Sequence, residues 1–153
     1  MVTIEPATLA DLAQLADLLA VLFAQEEEFA PDRARQERAL AMIIAAPRLG
    51  TILVAREEGQ LLAMVSLLYT VSTAEGGPVC WLEDLVVRAP RRGQGIGARL
   101  LGQALAVARA QGCTRITLLT DRVNDRARRF YARHGFGESP MLAMRLRIAA
   151  GPA

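Results

Sequence analysis

The sequence predicts a single layered α/β or α+β domain of five to seven strands and four helices. Three observations carry that expectation. Apolar residues recur at helical spacing in four segments. Short β-branched and apolar runs lie between them. Gly and Pro clusters punctuate the joins, with no internal repeat and no linker. At 153 residues the chain is long enough to bury one core. The expected domain spans residues 1–148, with 149–153 as a frayed tail.

Met1 to Glu5 reads as a short strand. Thr8 with Asp11 three residues on resembles a capping box. Leu9, Leu12, Leu15, Leu18, Leu19, Leu22 and Phe23 then keep helical spacing. A second helix is expected from Asp32 to Ala46, with Leu40, Ile43 and Ile44 on its apolar side and Pro47 ending it. Thr51 to Arg56 and Leu61 to Val71 read as a strand pair around Glu57-Glu58-Gly59-Gln60. Glu75-Gly76-Gly77-Pro78 is a further turn, and the apolar strand Val79 to Val87 follows. A helix from Ile96 to Gln111 buries Ile96, Leu100, Leu101, Ala104, Leu105 and Ala108, and Gly112 closes it. Thr114 to Thr120 is a β-branched strand. Asn124 caps a helix running to about His134, which Gly135 stops. Phe136 to Ile148 is expected to hold one or two closing strands.

Composition narrows the function. The hydrophobic share is 52%, but no run of about 18 apolar residues is free of charge, so no membrane span is expected. No basic segment precedes an apolar run at the N-terminus, so no signal peptide is expected. Cys80 and Cys113 lack CxxC spacing and have one His, His134, to help. Metal binding is not expected, and a cytoplasmic protein with free thiols is the plain reading. Residues 1 to 87 carry 5 Arg against 13 acids, and residues 88 to 153 carry 13 Arg against 3. That asymmetry suggests a site with an anion-binding end and a cation-binding end. Its arginines are not interleaved with aromatics beyond Phe130 and Tyr131, which argues against nucleic acid as a partner. All 18 basic residues are Arg, which excludes lysine Schiff-base chemistry.

The strand Val79-Cys80-Trp81-Leu82-Glu83-Asp84-Leu85-Val86-Val87 runs into Arg91-Arg92-Gly93-Gln94-Gly95-Ile96-Gly97 and then a helix. A strand, a glycine-rich loop and a helix N-terminus make an anion site from backbone N–H groups. A P-loop needs a lysine, so that form is excluded. A dinucleotide pattern GxGxxA is present as Gly93, Gly95 and Ala98, with Asp121 at the end of the next strand. Against it, the motif follows the fourth strand and no second mononucleotide half comes after.

Coenzyme A is the third possibility. Arg92-Gly93-Gln94-Gly95-Ile96-Gly97 resembles the Q/R-x-x-G-x-G/A loop of the GNAT superfamily of N-acetyltransferases. Asn124-Asp125-Arg126-Ala127-Arg128-Arg129-Phe130-Tyr131-Ala132-Arg133-His134-Gly135-Phe136 resembles that family's second signature, NxxAxxFYxxxGF. Both motifs occur in family order about 30 residues apart, with a strand between them. Trp81-Leu82-Glu83-Asp84-Leu85-Val86-Val87 is similar to the YLEDLxV strand of the diamine acetyltransferase branch. The resemblance implies the GNAT fold, a central mixed, mostly antiparallel twisted sheet flanked by four helices. It implies acetyl-CoA as co-substrate, no metal, a small-molecule primary amine or an amino-terminal acceptor, and a homodimer as the candidate assembly. The implied reaction is direct attack in a ternary complex. The alternative is a non-catalytic acyl-CoA-binding or sensor module of the same fold.

The resemblance also suggests roles. The pyrophosphate is expected on the backbone of Gly93, Gln94, Gly95, Ile96, Gly97 and Ala98, with Arg92, and less firmly Arg91, adding charge-assisted hydrogen bonds. The pantetheine arm is expected to pair like a strand with Leu85, Val86 and Val87. Asn124 and Ala127 of the second signature are expected near the cofactor, as is Tyr131. Glu83 is the candidate general base. In the family a bulge splays this strand and aims the acid preceding it at the cleft, and burial is expected to tune Glu83 for its task. A salt bridge to an arginine is its plainer role. The Leu85 N–H is the candidate oxyanion donor. Phe130 and Tyr131 lie about 100° apart around their helix. If Phe130 faces the core, Tyr131 can face the cleft and protonate the leaving thiolate; a structural tyrosine is the alternative. Trp81 shares a face with Glu83 and is an acceptor-side candidate. Glu26, Glu27 and Glu28 oppose the dipole at a helix C-terminus, so local stability does not explain them. They are candidates for attracting a cationic amine, against the alternative of a solvated charge run. His134, Cys80 and Cys113 read as structural.

Overall fold

Seven consecutive residues, Leu61 to Leu67, are all buried. A strand with no solvent-facing side has to lie inside a sheet that is covered on both faces. The computed structural model, which describes residues 1–25 and 32–149, has that arrangement. Its elements in chain order are β1 (Thr3–Pro6), α1 (Leu12–Ala24), α2 (Arg33–Ala45), β2 (Gly50–Glu57), β3 (Gln60–Ser72), β4 (Gly77–Val87), α3 (Ile96–Ala110), β5 (Ile116–Thr117) and α4 (Asp125–Arg133). A first compact unit runs from Met1 to Leu118, and a second begins at Leu119.

In the first unit the strands lie in the order β1-β2-β3-β4-β5. Three pairings are antiparallel and β4–β5 is parallel. On one face Leu15, Leu18 and Leu19 of α1 and Leu40 of α2 pack with Ile52, Val54, Met64 and Val86. Leu53, Ala55, Ala63, Val65 and Leu67 are buried too, and α3 packs on β2, β3 and β4 through a stripe of Leu100, Leu101, Ala104 and Ala108. Each fully buried leucine contributes about 1.5–3 kcal/mol.

Local chemistry sets the element ends. Glu58 and Gly59 both have positive φ, 49° and 79°. That is the two-residue primed turn whose twist matches a hairpin. The Asp32 side chain accepts from the Arg35 N–H and caps α2, and the helix stops two residues before Pro47.

Two expected strands differ. Thr114 to Thr120 shrinks to Ile116–Thr117, which pairs only with Cys80 and Trp81. The bulge just beyond, described below, bends β4 and ends its match to a straight neighbour. Residues Phe136 to Ile148 form no strand. Their apolar members Met141, Leu142, Met144, Leu146 and Ile148 are 75–91% exposed. A strand is stable only when paired, and among the described residues this segment has no ladder partner. Residues 26–31 and 150–153 lie outside the described residues, so Glu26, Glu27, Glu28 and most of the expected tail do too.

One buried ion cluster ties β1, β2 and the start of α1. Asp11 is 4% exposed and accepts from Arg56 Nη2 at 2.9 Å and from the Thr8 N–H at 2.9 Å. Arg56 Nε also meets Glu5 at 2.5 Å. Burial pushes the Asp11 pKa up, but the Thr8 N–H and Arg56 outweigh it and hold it below the ordinary carboxylate value. Because the folded pKa is depressed, this stabilisation is present at neutral pH and is lost as pH falls through the folded value. Arg56→Met leaves the Asp11 carboxylate buried without its cation and is expected to cost about 3 kcal/mol. Urea unfolding at pH 7 measures this, and an unchanged midpoint would show the cluster to be energetically neutral.

Candidate active site

β4 is regular up to Glu83 and from Val86 onward, but not between. Glu83 pairs with Ser66 and Val86 pairs with Met64. Two residues of β4, Asp84 and Leu85, therefore stand opposite the single Val65 of β3. This is a β-bulge. Asp84 takes φ +57°, a left-handed conformation that Asp tolerates better than a branched residue does. Such a backbone costs on the order of 1 kcal/mol and tends to persist where the site uses it. Because the bulge inserts one residue, Glu83 and Val86 share a face although they are three positions apart. Trp81, two residues back, lies on the same face and is 38% exposed.

The bulge leaves β4 with an open edge. On the β5 side its pairing ends at Trp81, so within this sheet Leu82 to Val87 meet no strand there. Glu83 itself is exposed, which corrects the expectation of burial: the bulge sets it out from the sheet rather than sinking it. A buried hydroxyl lies opposite. Ser66 is 1% exposed, and its Oγ has no hydrogen-bond partner among the described residues. A buried hydroxyl left unpaired costs about 1–3 kcal/mol. Sequence reading missed Ser66, although one hydroxyl in the run Met64-Val65-Ser66-Leu67-Leu68 is a visible break in an apolar strand.

Past β4 the chain turns through Arg88 to Gly95 into α3. Gly93 and Gly95 take φ of 76° and 78°, which requires glycine. An added Cβ at either would meet no atom within 4 Å, so the demand is conformational and the space above the loop is open. Gly95 is the N-cap of α3, with no side-chain cap and no acid in the first turn. The N–H groups of Ile96, Gly97 and Ala98 have no partner within the helix. Together with the helix dipole they make a place for an anion. Arg92 Nε donates to Val87 O at 3.1 Å, which fixes the stem of the guanidinium against the end of β4. Arg91 is already engaged, by Glu57 at 2.6 Å and by Gln94 at 3.0 Å.

The second unit is organised around α4. Asn124 Oδ1 accepts from the Ala127 N–H at 3.1 Å and caps the helix. Gly135, at φ +93°, ends it. Phe136 N–H reaches Tyr131 O at 3.1 Å and Gly135 N–H reaches Ala132 O at 3.1 Å. These two bonds are the Schellman pattern. They bring the Phe136 ring edge-on to Tyr131 at 5.6 Å, while Phe130 meets Tyr131 at 5.3 Å. The glycine and phenylalanine that end the second motif thus hold the Tyr131 ring. Burial pushes the Tyr131 phenol up to about 12, so it carries its proton at neutral pH. His134 Nδ1 lies 2.8 Å from Phe130 O, a helix-end role. Burial, with Cys113 beside it, pushes the Cys80 thiol up to about 12, so it is a poor nucleophile. Among the described residues no three His, Cys, Asp or Glu side chains converge on a metal position, and no helix is long and apolar enough to cross a membrane.

The model of the acetyltransferase (GNAT) family matches residues 12–136. The chain belongs to the GNAT family. It is 33% identical over 127 residues to the uncharacterised N-acetyltransferase YhfO of Bacillus subtilis, covering 80% of this chain and 84% of that one. It is 33% identical over 100 residues to the type 1 aminoglycoside N(6′)-acetyltransferase of Serratia marcescens, covering 63% of this chain and 68% of that one. The fold is also that of a predicted acetyltransferase of Clostridium acetobutylicum solved with acetyl-CoA. There the TM-score is 0.77 at 18% identity, over 95% of this chain and 96% of the other. This GNAT protein is an N-acetyltransferase, and its five-stranded mixed sheet with four helices agrees with the fold class read from the sequence.

Proposed function

We propose that this GNAT enzyme moves an acetyl group from acetyl-CoA to the primary amine of a small molecule by direct attack, without a covalent enzyme intermediate. The observation that carries the reading is the uncapped, acid-free N-terminus of α3, reached through two left-handed glycines. The backbone of Gly93 to Ala98 takes the diphosphate, and the guanidinium of Arg92 reaches it from the end of β4. The open edge of Leu85, Val86 and Val87 pairs with the amide-bearing pantetheine arm. Asn124 and Ala127 take their cofactor roles from the second signature.

The chemistry then needs a base, an oxyanion donor and an acid. Glu83 takes a proton from the incoming ammonium, directly or through water. The freed amine forms the C–N bond at the thioester carbonyl. The Leu85 N–H, in the bulge, donates to the oxyanion. When the C–S bond breaks, the nitrogen releases its second proton to solvent, and Tyr131 gives its own proton to the thiolate and regains one from solvent. Trp81 and Glu83 form the acceptor side, and Glu26, Glu27 and Glu28 are proposed to draw a cation towards it. The aminoglycoside enzyme among the relatives supports a small amine as acceptor.

Calorimetry with CoA and acetyl-CoA, followed by thiol release with a panel of amines, tests the reading. Heat with both carriers and release with at least one amine is expected. Binding without release across the panel would favour the non-catalytic module. Stabilisation by NAD and none by CoA would favour the dinucleotide site. Tyr131→Phe is expected to lower kcat by roughly 10²-fold while leaving KM for acetyl-CoA within a factor of about three. A wild-type kcat would make Tyr131 structural.

A further inference from the structure

A carboxylate stands beside the loop assigned to the diphosphate. Glu57 ends β2, and its Oε2 accepts from Arg91 Nη1 at 2.6 Å. From the same guanidinium, Arg91 Nε donates to Gln94 Oε1 at 3.0 Å, and Gln94 Nε2 turns back to Pro90 O at 3.5 Å. The guanidinium is planar and rigid, so these holds fix Gln94 relative to the end of β2. The hydrogen bond from Arg91, more than any other contact, keeps the Glu57 carboxyl below its ordinary range. Glu57 Oε1 faces the exposed Met1 amino group at 3.5 Å, a contact that does not reach the loop.

Neither charge nor stability explains the pair. An acid is the wrong charge to keep near a bound diphosphate, because like charges repel. A partly exposed ion pair such as this one adds little to the stability of the fold. What the pair can do is order the loop. Gln94 lies between Gly93 and Gly95, which hold left-handed φ of 76° and 78°. Glycine loses more backbone freedom on ordering than any other residue, so a loop with two of them gains most from being held. The adjoining Arg88 is docked on the same β2–β3 hairpin. Its N–H donates to Leu62 O at 2.8 Å and its Nε to Leu61 O at 2.6 Å. The hairpin thus braces the loop at two points, Arg88 through main-chain oxygens and Arg91 through Glu57.

We propose that Glu57 is a positioning residue for the co-substrate: through Arg91 it holds Gln94 and the glycines on either side in the diphosphate-binding form before the ligand arrives. Arg91 is then a strut of the loop and not a contact of the phosphates. A ligand binds more tightly to a loop that is already in place. This rests on the reading of Gly93 to Ala98 as the diphosphate site.

Charge and geometry predict opposite signs for the loss of Glu57. If it is only a nearby anion, or a brake that keeps Arg91 from the phosphates, its removal tightens CoA binding. If it is a strut, its removal weakens binding. The test is calorimetry with CoA and with dephospho-CoA, which keeps the diphosphate and lacks the 3′-phosphate. It compares wild type, Glu57→Ala, Arg91→Met and the double variant. Glu57→Ala is expected to weaken both ligands about fivefold, the scale of ordering one long side chain. In the Arg91→Met background the strut is already gone, so the same change leaves binding within about twofold or tightens it. Glu57→Gln keeps the shape with a weaker acceptor, and is expected to shift both ligands the same way by about twofold. The melting temperature without ligand stays within about 2 °C of wild type. With whichever of spermidine, kanamycin and a short peptide gives thiol release, Glu57→Ala raises KM for acetyl-CoA about fivefold and leaves kcat within about twofold.

Unchanged or tighter CoA binding by Glu57→Ala would overturn the proposal while leaving the diphosphate site in place. A loss seen with CoA and absent with dephospho-CoA would assign the pair to the 3′-phosphate and overturn it too. So would an equal loss in the Arg91→Met background. No heat from the wild type with either ligand would instead overturn the diphosphate reading, and this inference with it.

Discussion

Glu83→Gln is expected to reduce kcat at pH 7 by roughly 10²–10⁴-fold, with CoA affinity close to wild type. The substitution keeps shape and removes the base. Glu83 is exposed, so stability should change by no more than about 0.5 kcal/mol. The bulge depends on the backbone of Asp84 and Leu85 and stays intact, so any loss is chemical. An alkyl ammonium has a pKa of about 10.4, so at pH 7 fewer than about one amine in a thousand is ready to attack. Without Glu83 the reaction has to wait for that fraction, which grows about tenfold with each pH unit. The rate of the variant should therefore climb about tenfold per unit from pH 7 to 9, while the wild-type rate rises less steeply. A variant with the wild-type rate, or one whose deficit is constant across that range, would take proton abstraction away from Glu83.

How much of this was visible beforehand depends on the range of the interaction involved. The loop was legible because φ near +77° at two positions selects glycine locally, and the pair Gly93 and Gly95 announces it. The Asn124 cap and the Gly135 stop were legible for the same reason, since capping is settled within four or five residues. The central strand β3 could be read as a strand, but not as one buried on both faces, because its cover comes from α1 and α3, far off in sequence. The bulge left only a faint mark: Asp84 is a residue that tolerates the left-handed region, but nothing in Trp81 to Val87 alone says which residue takes it. The family resemblance supplied the bulge; what was misjudged is the burial of Glu83 beside it, since Glu83 is exposed. Ser66 could not be tied to Glu83 at all, since their pairing is set by the register of β3 on β4 across 17 positions. The expected strands in Phe136 to Ile148 failed from the opposite error: an apolar alternation states a preference, and pairing requires a partner.

Ala98→Asp separates the anion-binding role of α3 from its role in the fold. Ala98 is the third residue of the helix, where a carboxylate faces the unpaired N–H groups of the first turn. In folding terms the change is favourable, because an acid there complements the dipole by about 0.3–1 kcal/mol. The first turn at present holds no acid, so no like charge within it opposes the substitution. The melting temperature should hold or rise. In binding terms the change is severe. A like charge about 6 Å from the diphosphate, at an effective dielectric of about 20, repels it by roughly 3 kcal/mol. That corresponds to about a hundredfold weaker CoA binding by calorimetry. Ala98→Asn has nearly the same shape without the charge and is expected to weaken binding by no more than about threefold. A fold made firmer while its ligand is lost is not what a generally damaging substitution produces. The pattern would therefore place the diphosphate at the N-terminus of α3. If the Asp variant bound CoA as tightly as wild type, the phosphates would have to sit elsewhere, and the open edge of β4 would lose its reason for receiving the pantetheine arm.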